Sequence, residues 1–177
     1  MIKEKYDEKG FLIYEGEYAS GVRHGKGKEY HKQRLIFEGE NKNGKKFGNG
    51  KEYYQLGEII FEGNFLYGGK NGKGIEYNLD GILLFEGEYL YDKKWDGKGY
   101  DKYGNIIYEL NNGNGKVIEY NFEQKFEGEY LDGKRHGHGI EYDNESHMIF
   151  EGTYLNWKKT GKGKEYNKGV KRLFKWV

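Results

Sequence analysis

The sequence predicts an all-β protein: an elongated, single-layer, twisted antiparallel sheet of stacked β-hairpin repeats, solenoid-like and without helices. Three observations predict it. An aromatic-Glu-Gly signature recurs along the chain, mostly at a spacing of 23 or 24 residues. The residues around each copy alternate with the period of two that is typical of strands. The chain also has 30 glycines and no proline, so nothing interrupts a strand.

The composition excludes several classes of protein. Charged residues make up 33% of the chain and mean hydropathy is −1.06, yet aromatic residues reach 18%, which is unlike a disordered chain. The net charge of +1, from 30 basic and 29 acidic side chains, argues against a nucleic-acid partner. Without cysteine there is no disulfide frame and no thiol nucleophile. No apolar segment resembles a signal peptide or a membrane span, so we expect a cytoplasmic protein.

The repeats occupy the whole chain, so we predict a single repeat domain over 1–177. A partial copy covers 1–13, hairpin repeats start near 14, 37, 61, 85, 108, 126 and 150, and a partial strand covers 170–177. The copy at 108 is shortened, because the next begins 18 residues later, and Asn111-Asn112-Gly113 predicts a tight turn there. We interpret the shortening as harmless decay, with a functional notch as the alternative.

One register within each hairpin satisfies charge and ring packing together. Glutamates then face lysines across the strands, and glycines leave a flat backbone on which an aromatic ring can lie. The predicted pairs are Gly16 with Gly27, Glu15 with Lys28, Glu17 with Lys26 and Tyr18 with Gly25 in the first repeat, Glu38 with Lys51 in the second, and Glu151 with Lys164 and Thr153 with Lys162 in the seventh.

These residues resemble MORN repeats. Tyr14-Glu15-Gly16-Glu17-Tyr18, followed by Gly21 and Gly25-Lys26-Gly27, matches that pattern, and so does Phe126-Glu127-Gly128-Glu129-Tyr130 with its following glycines. The chain departs from the pattern at Asn41, where the second aromatic is missing. The resemblance implies a long single-layer sheet and a role in scaffolding, dimerisation or phospholipid contact, and some bacterial members resemble antitoxins.

Candidate catalytic and metal-binding residues favour structural interpretations. Ser20 and Ser146 fall in predicted turns without a base beside them, and the recurring glutamate pairs face lysines. His136-Gly137-His138 places two imidazoles on one side of a strand, but no third ligand is evident. The Gly-Lys pairs lack the Ser or Thr and the helix of a phosphate loop. We therefore predict a protein that is not an enzyme, with no catalytic residue, no metal and no cofactor.

The predicted function is a non-enzymatic scaffold that binds a protein partner of unknown identity or associates with itself. An antitoxin-like inhibitor of a toxin is the first alternative, and peripheral phospholipid binding through Lys and Trp loops is the second. Carbohydrate binding is weakened by the presence of only three Trp residues. Partner contacts are predicted on the aromatic face and in two loops where Trp follows or precedes lysines. The residues are Tyr18, Phe65, Tyr89, Trp95, Tyr130, Tyr154 and Trp157.

Overall fold

The computed structural model describes residues 1–120, 124–167 and 170–176, which form two compact units, Met1–Asp92 and Lys93–Val177. Within these ranges the chain forms strands and turns and no helix, which confirms the predicted all-β class. It follows that no helix in this part of the chain could cross a membrane. The predicted terminal strand is present as Val170–Trp176, and Val177 lies outside the described residues.

The described residues of each unit form eight strands. In the first unit, successive strands pair antiparallel in chain order, as expected for consecutive hairpins. These strands are β1 Ile2–Tyr6, β2 Leu12–Ala19, β3 Val22–His31, β4 Arg34–Lys42, β5 Lys45–Tyr53, β6 Ile59–Leu66, β7 Gly69–Tyr77 and β8 Leu83–Leu90.

The second unit follows the same rule in two parts. Here β9 pairs with β10, and β11 to β16 pair antiparallel in chain order. The strands are β9 Lys93–Tyr100, β10 Ile106–Leu110, β11 Gly115–Tyr120, β12 Gln124–Leu131, β13 Lys134–Asp143, β14 Met148–Leu155, β15 Lys158–Asn167 and β16 Val170–Trp176.

The centres of the first, second and seventh hairpins have the predicted register. Gly16 pairs with Gly27 and Glu15 with Lys28. The second repeat has the equivalent pair of Glu38 and Lys51, and the seventh has Glu151 and Lys164. The glycine pairs continue from strand to strand and form a line across the sheet of the first unit. Its members in β2 to β8 are Gly16, Gly27, Gly39, Gly50, Gly63, Gly74 and Gly87.

Beyond the glycine line the predicted register is wrong, because a β-bulge shifts the pairing of β2–β3, β4–β5, β6–β7, β12–β13 and β14–β15. Tyr18 pairs with Arg23 rather than with Gly25. The bulge forms where Gly25 adopts a φ of 72°, a left-handed conformation that glycine tolerates best. Glu17 consequently does not face the Lys26 side chain, and its carboxylate instead accepts a hydrogen bond from the Lys26 backbone N–H at 3.3 Å.

The seventh repeat shows the same correction. Thr153 pairs with Thr160 rather than with Lys162, and Gly161 has a φ of 66°. The predicted aromatic–glycine pairing does exist, but it joins neighbouring repeats instead of the two strands of one hairpin. Gly25 lies opposite Asn41, where the second aromatic is missing, but three other bulge glycines lie opposite the second aromatic of the next repeat. The pairs are Gly48 with Phe65, Gly72 with Tyr89 and Gly137 with Tyr154.

The core of the first unit is a layer of aromatic rings on one face of the sheet. The first aromatics of successive repeats, Phe37, Phe61 and Phe85, are fully buried. Phe65 lies edge-on to Phe37 and Phe61, with ring centroids 5.3 and 5.4 Å away. Tyr89 makes the same contacts with Phe61 and Phe85 at 5.1 and 5.5 Å. Such edge-to-face pairs stabilise a core beyond the area they bury.

A lysine covers the first ring of the second repeat and of the third, which sequence reasoning missed. Lys46 Nζ lies 4.4 Å from the Phe37 centroid and forms an ion pair with Glu52 at 2.8 Å. Lys70 Nζ lies 4.2 Å from the Phe61 centroid and also pairs with Glu52, at 3.4 Å. The signal was present, because each cation follows its ring by nine positions. These lysines therefore cover the aromatic core with their stems and balance a half-buried carboxylate.

The shortened fifth repeat closes with the predicted tight turn. Asn111 and Asn114 exchange two backbone hydrogen bonds of 3.0 Å around Asn112 and Gly113, which both have positive φ. This single bridge joins β10 to β11 in place of a regular ladder. The turn packs against strand β9, since the Gly113 N–H donates to the Trp95 carbonyl at 2.7 Å. The regular pairing is thus interrupted at this point of the second unit.

Candidate functional site

The face of the first unit opposite the rings carries a groove of about 690 Å³. Its floor is the glycine line. A Cβ at these glycines would point to the ring face, so at these positions the groove face carries backbone alone. The groove extends from Ile2 in β1 to Gly63 in β6. At about 4.8 Å per strand, six strands make it roughly 24 Å long.

Charged side chains form both walls of the groove. The repeat pattern places glutamates from the even-numbered strands and lysines from the odd-numbered ones in rows on either side of the glycines. The carboxylates outnumber the ammonium groups by five to three. The lining residues are Glu15, Glu17, Glu38, Glu40 and Glu62 on one hand and Lys26, Lys28 and Lys51 on the other.

Two of the lysines are already paired across strands. Lys51 Nζ lies 3.2 Å from a Glu62 carboxylate oxygen, and this hydrogen-bonded carboxylate raises the pKa of the lysine. Lys28 makes a longer pair with Glu38, at 3.9 Å. Glu15 accepts a hydrogen bond from the hydroxyl of Tyr30 at 3.3 Å. With those lysines neutralised, the remaining carboxylates give the groove an anionic character.

Four of the aromatic residues predicted to contact a partner lie inside the core. Phe65 and Tyr89 are 3% exposed, Tyr130 is 5% exposed and Tyr154 is 2% exposed. The Tyr130 hydroxyl donates to Glu119 at 2.7 Å, and burial raises the pKa of that hydroxyl. The structure thus gives these side chains a packing role, and their predicted contact with a partner stays a prediction.

The other three predicted residues are more accessible. Tyr18 is half-buried and lies edge-on to Tyr14 at 5.4 Å. Trp95 lies in strand β9 and not in a loop as predicted, and it is half-buried with Lys93 Nζ 5.6 Å from its ring. Trp157 is 46% exposed, but its ring packs on Tyr130 with centroids 5.4 Å apart. Both Trp side chains therefore fold back over their own unit, and Trp157 keeps an exposed edge.

The described residues do not assemble the metal or catalytic sites that were considered as alternatives for the sequence. The described residues contain no group of three or more His, Cys, Asp or Glu side chains that could hold a metal ion. His138 Nε2 instead lies 3.6 Å from a Glu151 carboxylate. Ser20 and Ser146 both occupy positive-φ positions of turns, as predicted. None of the groove side chains is a Ser, Thr or His.

Successive antiparallel hairpins, an aromatic core on one face and a groove on the other define a β-hairpin repeat protein. The sequence model of the MORN repeat matches residues 14–32, 37–55 and 126–146. These three segments of the chain match MORN repeats, which confirms the predicted resemblance. Repeats of this family are generally found in non-enzymatic scaffolds that interact with proteins or membranes. No curated protein matches the chain.

Proposed function

We propose that the protein is a non-enzymatic scaffold that holds an extended, basic segment of a partner protein in the groove of its first unit. The anionic groove with its floor of glycine backbone is the observation that carries this proposal. A flat floor accepts a chain without requiring one particular side chain, whereas charged walls select the sign of the ligand. A groove of roughly 24 Å accommodates about seven extended residues at 3.3 Å each.

The wall residues suit reversible binding. Glu15, Glu17 and Glu40 present carboxylates that are not occupied by an ion pair with a neighbouring lysine in the described residues. Lys or Arg side chains of a partner would form charge-assisted hydrogen bonds with them. Exposed pairs of this kind contribute about 0.5–1 kcal/mol each, so affinity would arise from several contacts and would fall with added salt.

The test is the binding of labelled heptapeptides to the full chain, measured by fluorescence anisotropy. We expect a peptide of alternating Lys and Ser to bind and one of alternating Glu and Ser not to bind. Replacing two carboxylates in Glu15→Gln/Glu40→Gln should weaken binding about tenfold, since each charge contributes about 0.7 kcal/mol. Equal binding of both peptides would refute the proposal.

The repeat supplies a matched control. Glu86 and Glu88 occupy in the fourth repeat the positions that Glu38 and Glu40 have in the second, but they do not line the groove. The variant Glu86→Gln/Glu88→Gln changes the net charge by the same amount and should bind as the unchanged protein does. If it weakens binding as much as the groove variant, only net charge matters and the groove is not the site.

The other hypotheses remain predictions. A toxin is one kind of protein partner, and a neutralisation assay against a toxin encoded beside this gene would test that role. Self-association is tested by size-exclusion chromatography with light scattering at high protein concentration. Membrane binding is tested by co-sedimentation with anionic vesicles, where the exposed ring edge of Trp157 makes Trp157→Ala the variant of choice.

A further inference from the structure

The turn between β3 and β4 is strained, unlike the neighbouring turns on the same edge. It contains two residues, Lys32 and Gln33, with φ values of 50° and 64°. A turn of this type favours Asn-Gly, because a Cβ crowds the following carbonyl oxygen in the left-handed region, which Gly and Asn tolerate best. Its neighbours at 7–11 and 54–58 are longer and place Gly10 and Gly57 at their positive-φ positions. Strain of this kind is often retained where side chains serve a function.

Because this turn is short, a cleft of about 490 Å³ opens between it and the turn at 54–58. Three basic side chains line one side of the cleft: His31, Lys32 and Arg34. Gln55 lies opposite and accepts a hydrogen bond from Arg34 Nη1 at 3.3 Å, which orients the guanidinium toward the cleft. None of the residues that line the cleft is acidic. The cleft therefore presents positive charge without a carboxylate on its walls to neutralise it.

The other side of the cleft is apolar and partly aromatic. It consists of Ile36, Tyr53 and Tyr54. Tyr53 is held in place by a hydrogen bond from its hydroxyl to Glu38 at 3.3 Å, which leaves the ring as a wall of the cleft. Flat rings next to an arginine form a surface on which a planar group can stack. A ligand that fits both sides combines an anionic group with a planar apolar body.

We propose that this cleft binds an organic phosphate in which a phosphate ester is attached to a planar ring, as in a nucleoside monophosphate. The guanidinium and ammonium groups bind the phosphate oxygens, since such charge-assisted hydrogen bonds are among the strongest in proteins. The ring stacks on the tyrosine wall, as bases do on aromatic side chains. The site is separate from the groove and does not depend on the function proposed for it.

A second cleft on the other side of the same turn provides an internal comparison. It also contains His31 and Lys32, but Asp7 and Glu8 line it as well. Those two carboxylates would repel a phosphate dianion, so the assignment goes to the cleft that contains Arg34. The comparison also identifies a matched control, because Lys9 is an exposed cation that lines only the second cleft.

The experiment is an NMR titration of the full chain with adenosine monophosphate, alongside adenosine and inorganic phosphate as separate probes. We expect shifts confined to the amides of residues 31–36 and 53–55. The joined molecule should bind at least about tenfold more tightly than either part, because one ligand then uses both walls. No localised shifts at about 5 mM, a concentration that detects even weak complexes, would overturn the proposal.

Two variants separate a binding role from a structural one. Lys32→Asn/Gln33→Gly gives the turn its preferred sequence and should raise the melting temperature while it weakens nucleotide binding. Arg34→Gln should weaken binding about tenfold, and Lys9→Gln should leave it unchanged. Equal loss in Lys9→Gln, or full binding in both cleft variants, would overturn the assignment. So would Arg34-dependent binding to vesicles that contain a phosphoinositide, in the absence of nucleotide binding, since the ligand would then be a lipid headgroup.

Discussion

Replacing Gly50 by alanine should destabilise the first unit by forcing a methyl group into the aromatic core. The new Cβ would lie 2.6 Å from Cε2 and 2.8 Å from Cζ of Phe37. That ring is fully buried and cannot move without losing its contacts with Phe65 at 5.3 Å and with Lys46 at 4.4 Å. Because the Cβ points to the ring face, the groove floor on the other side keeps its chemistry.

The size of the effect follows from these contacts. Overpacking costs about 2 kcal/mol, and displacement of the ring removes about 1 kcal/mol of edge-to-face contact and about 0.7 kcal/mol of cation–π contact. Alanine offsets about 0.5 kcal/mol of this loss of stability, because it restricts the unfolded chain more than glycine does. The expected loss is therefore about 3 kcal/mol, which is a large part of the stability of an ordinary domain.

The assay is urea unfolding followed by circular dichroism, together with hydrogen exchange of the amides in β5 and β6. Exchange is included because repeat proteins couple chiefly to their neighbours and can open locally. Gly44→Ala is the control, since position 44 has open space around its Cβ and a φ of 80°, so only backbone strain of about 1 kcal/mol applies. A loss below about 0.5 kcal/mol for Gly50→Ala would refute the reasoning.

Two other predictions concern single side chains of the core. Asn41 is 3% exposed and its Oδ1 has no hydrogen-bond partner. The variant Asn41→Phe should extend the ring layer between Tyr14 and Phe37 and so raise the free energy of unfolding by about 1 kcal/mol. A decrease in the urea midpoint would contradict this prediction. Burial and neighbouring carboxylates raise the pKa of the Tyr130 and Tyr154 hydroxyls above the value of about 10 expected in the unfolded chain. The free energy of unfolding should therefore keep its full value below about pH 10 and fall above that pH. It should fall less steeply with pH in Tyr130→Phe/Tyr154→Phe. An equally steep fall in that variant would exclude these two hydroxyls as the cause.

The centres of the first, second and seventh repeats were predictable because charge and shape specify the same register. Glu15 faces Lys28 and Gly16 faces Gly27 in any pairing that avoids ring clashes and like charges, so the sequence determines it. The bulge was not predictable from period-two alternation, which counts every residue once. Only the left-handed conformation of Gly25 shows that part of β3 lies outside the ladder. Because glycine adopts positive and negative φ about equally well, its presence in the sequence does not reveal which one it has.

The candidate sites were harder to predict than the fold. Exposed aromatics usually indicate binding, but Phe65 and Tyr89 are buried because glycines and a lysine of the preceding repeat lie against each ring. The groove and the cleft depend on which residues of different repeats share one face. The length of the turn determines whether the cleft forms. The sequence His31-Lys32-Gln33-Arg34 does not by itself indicate that a cleft lies beside the turn.

The pairing of a bulge glycine with the second aromatic of the next repeat has a consequence for how such a chain changes in length. At these junctions one copy supplies the ring that completes its predecessor and the gap that receives its successor, so the complete building block spans the junction of two copies. An in-frame duplication of one copy therefore brings both halves of a new junction with it. Excision should be tolerated when both cuts fall at equivalent positions, whereas cuts out of phase would leave a buried ring without its glycine.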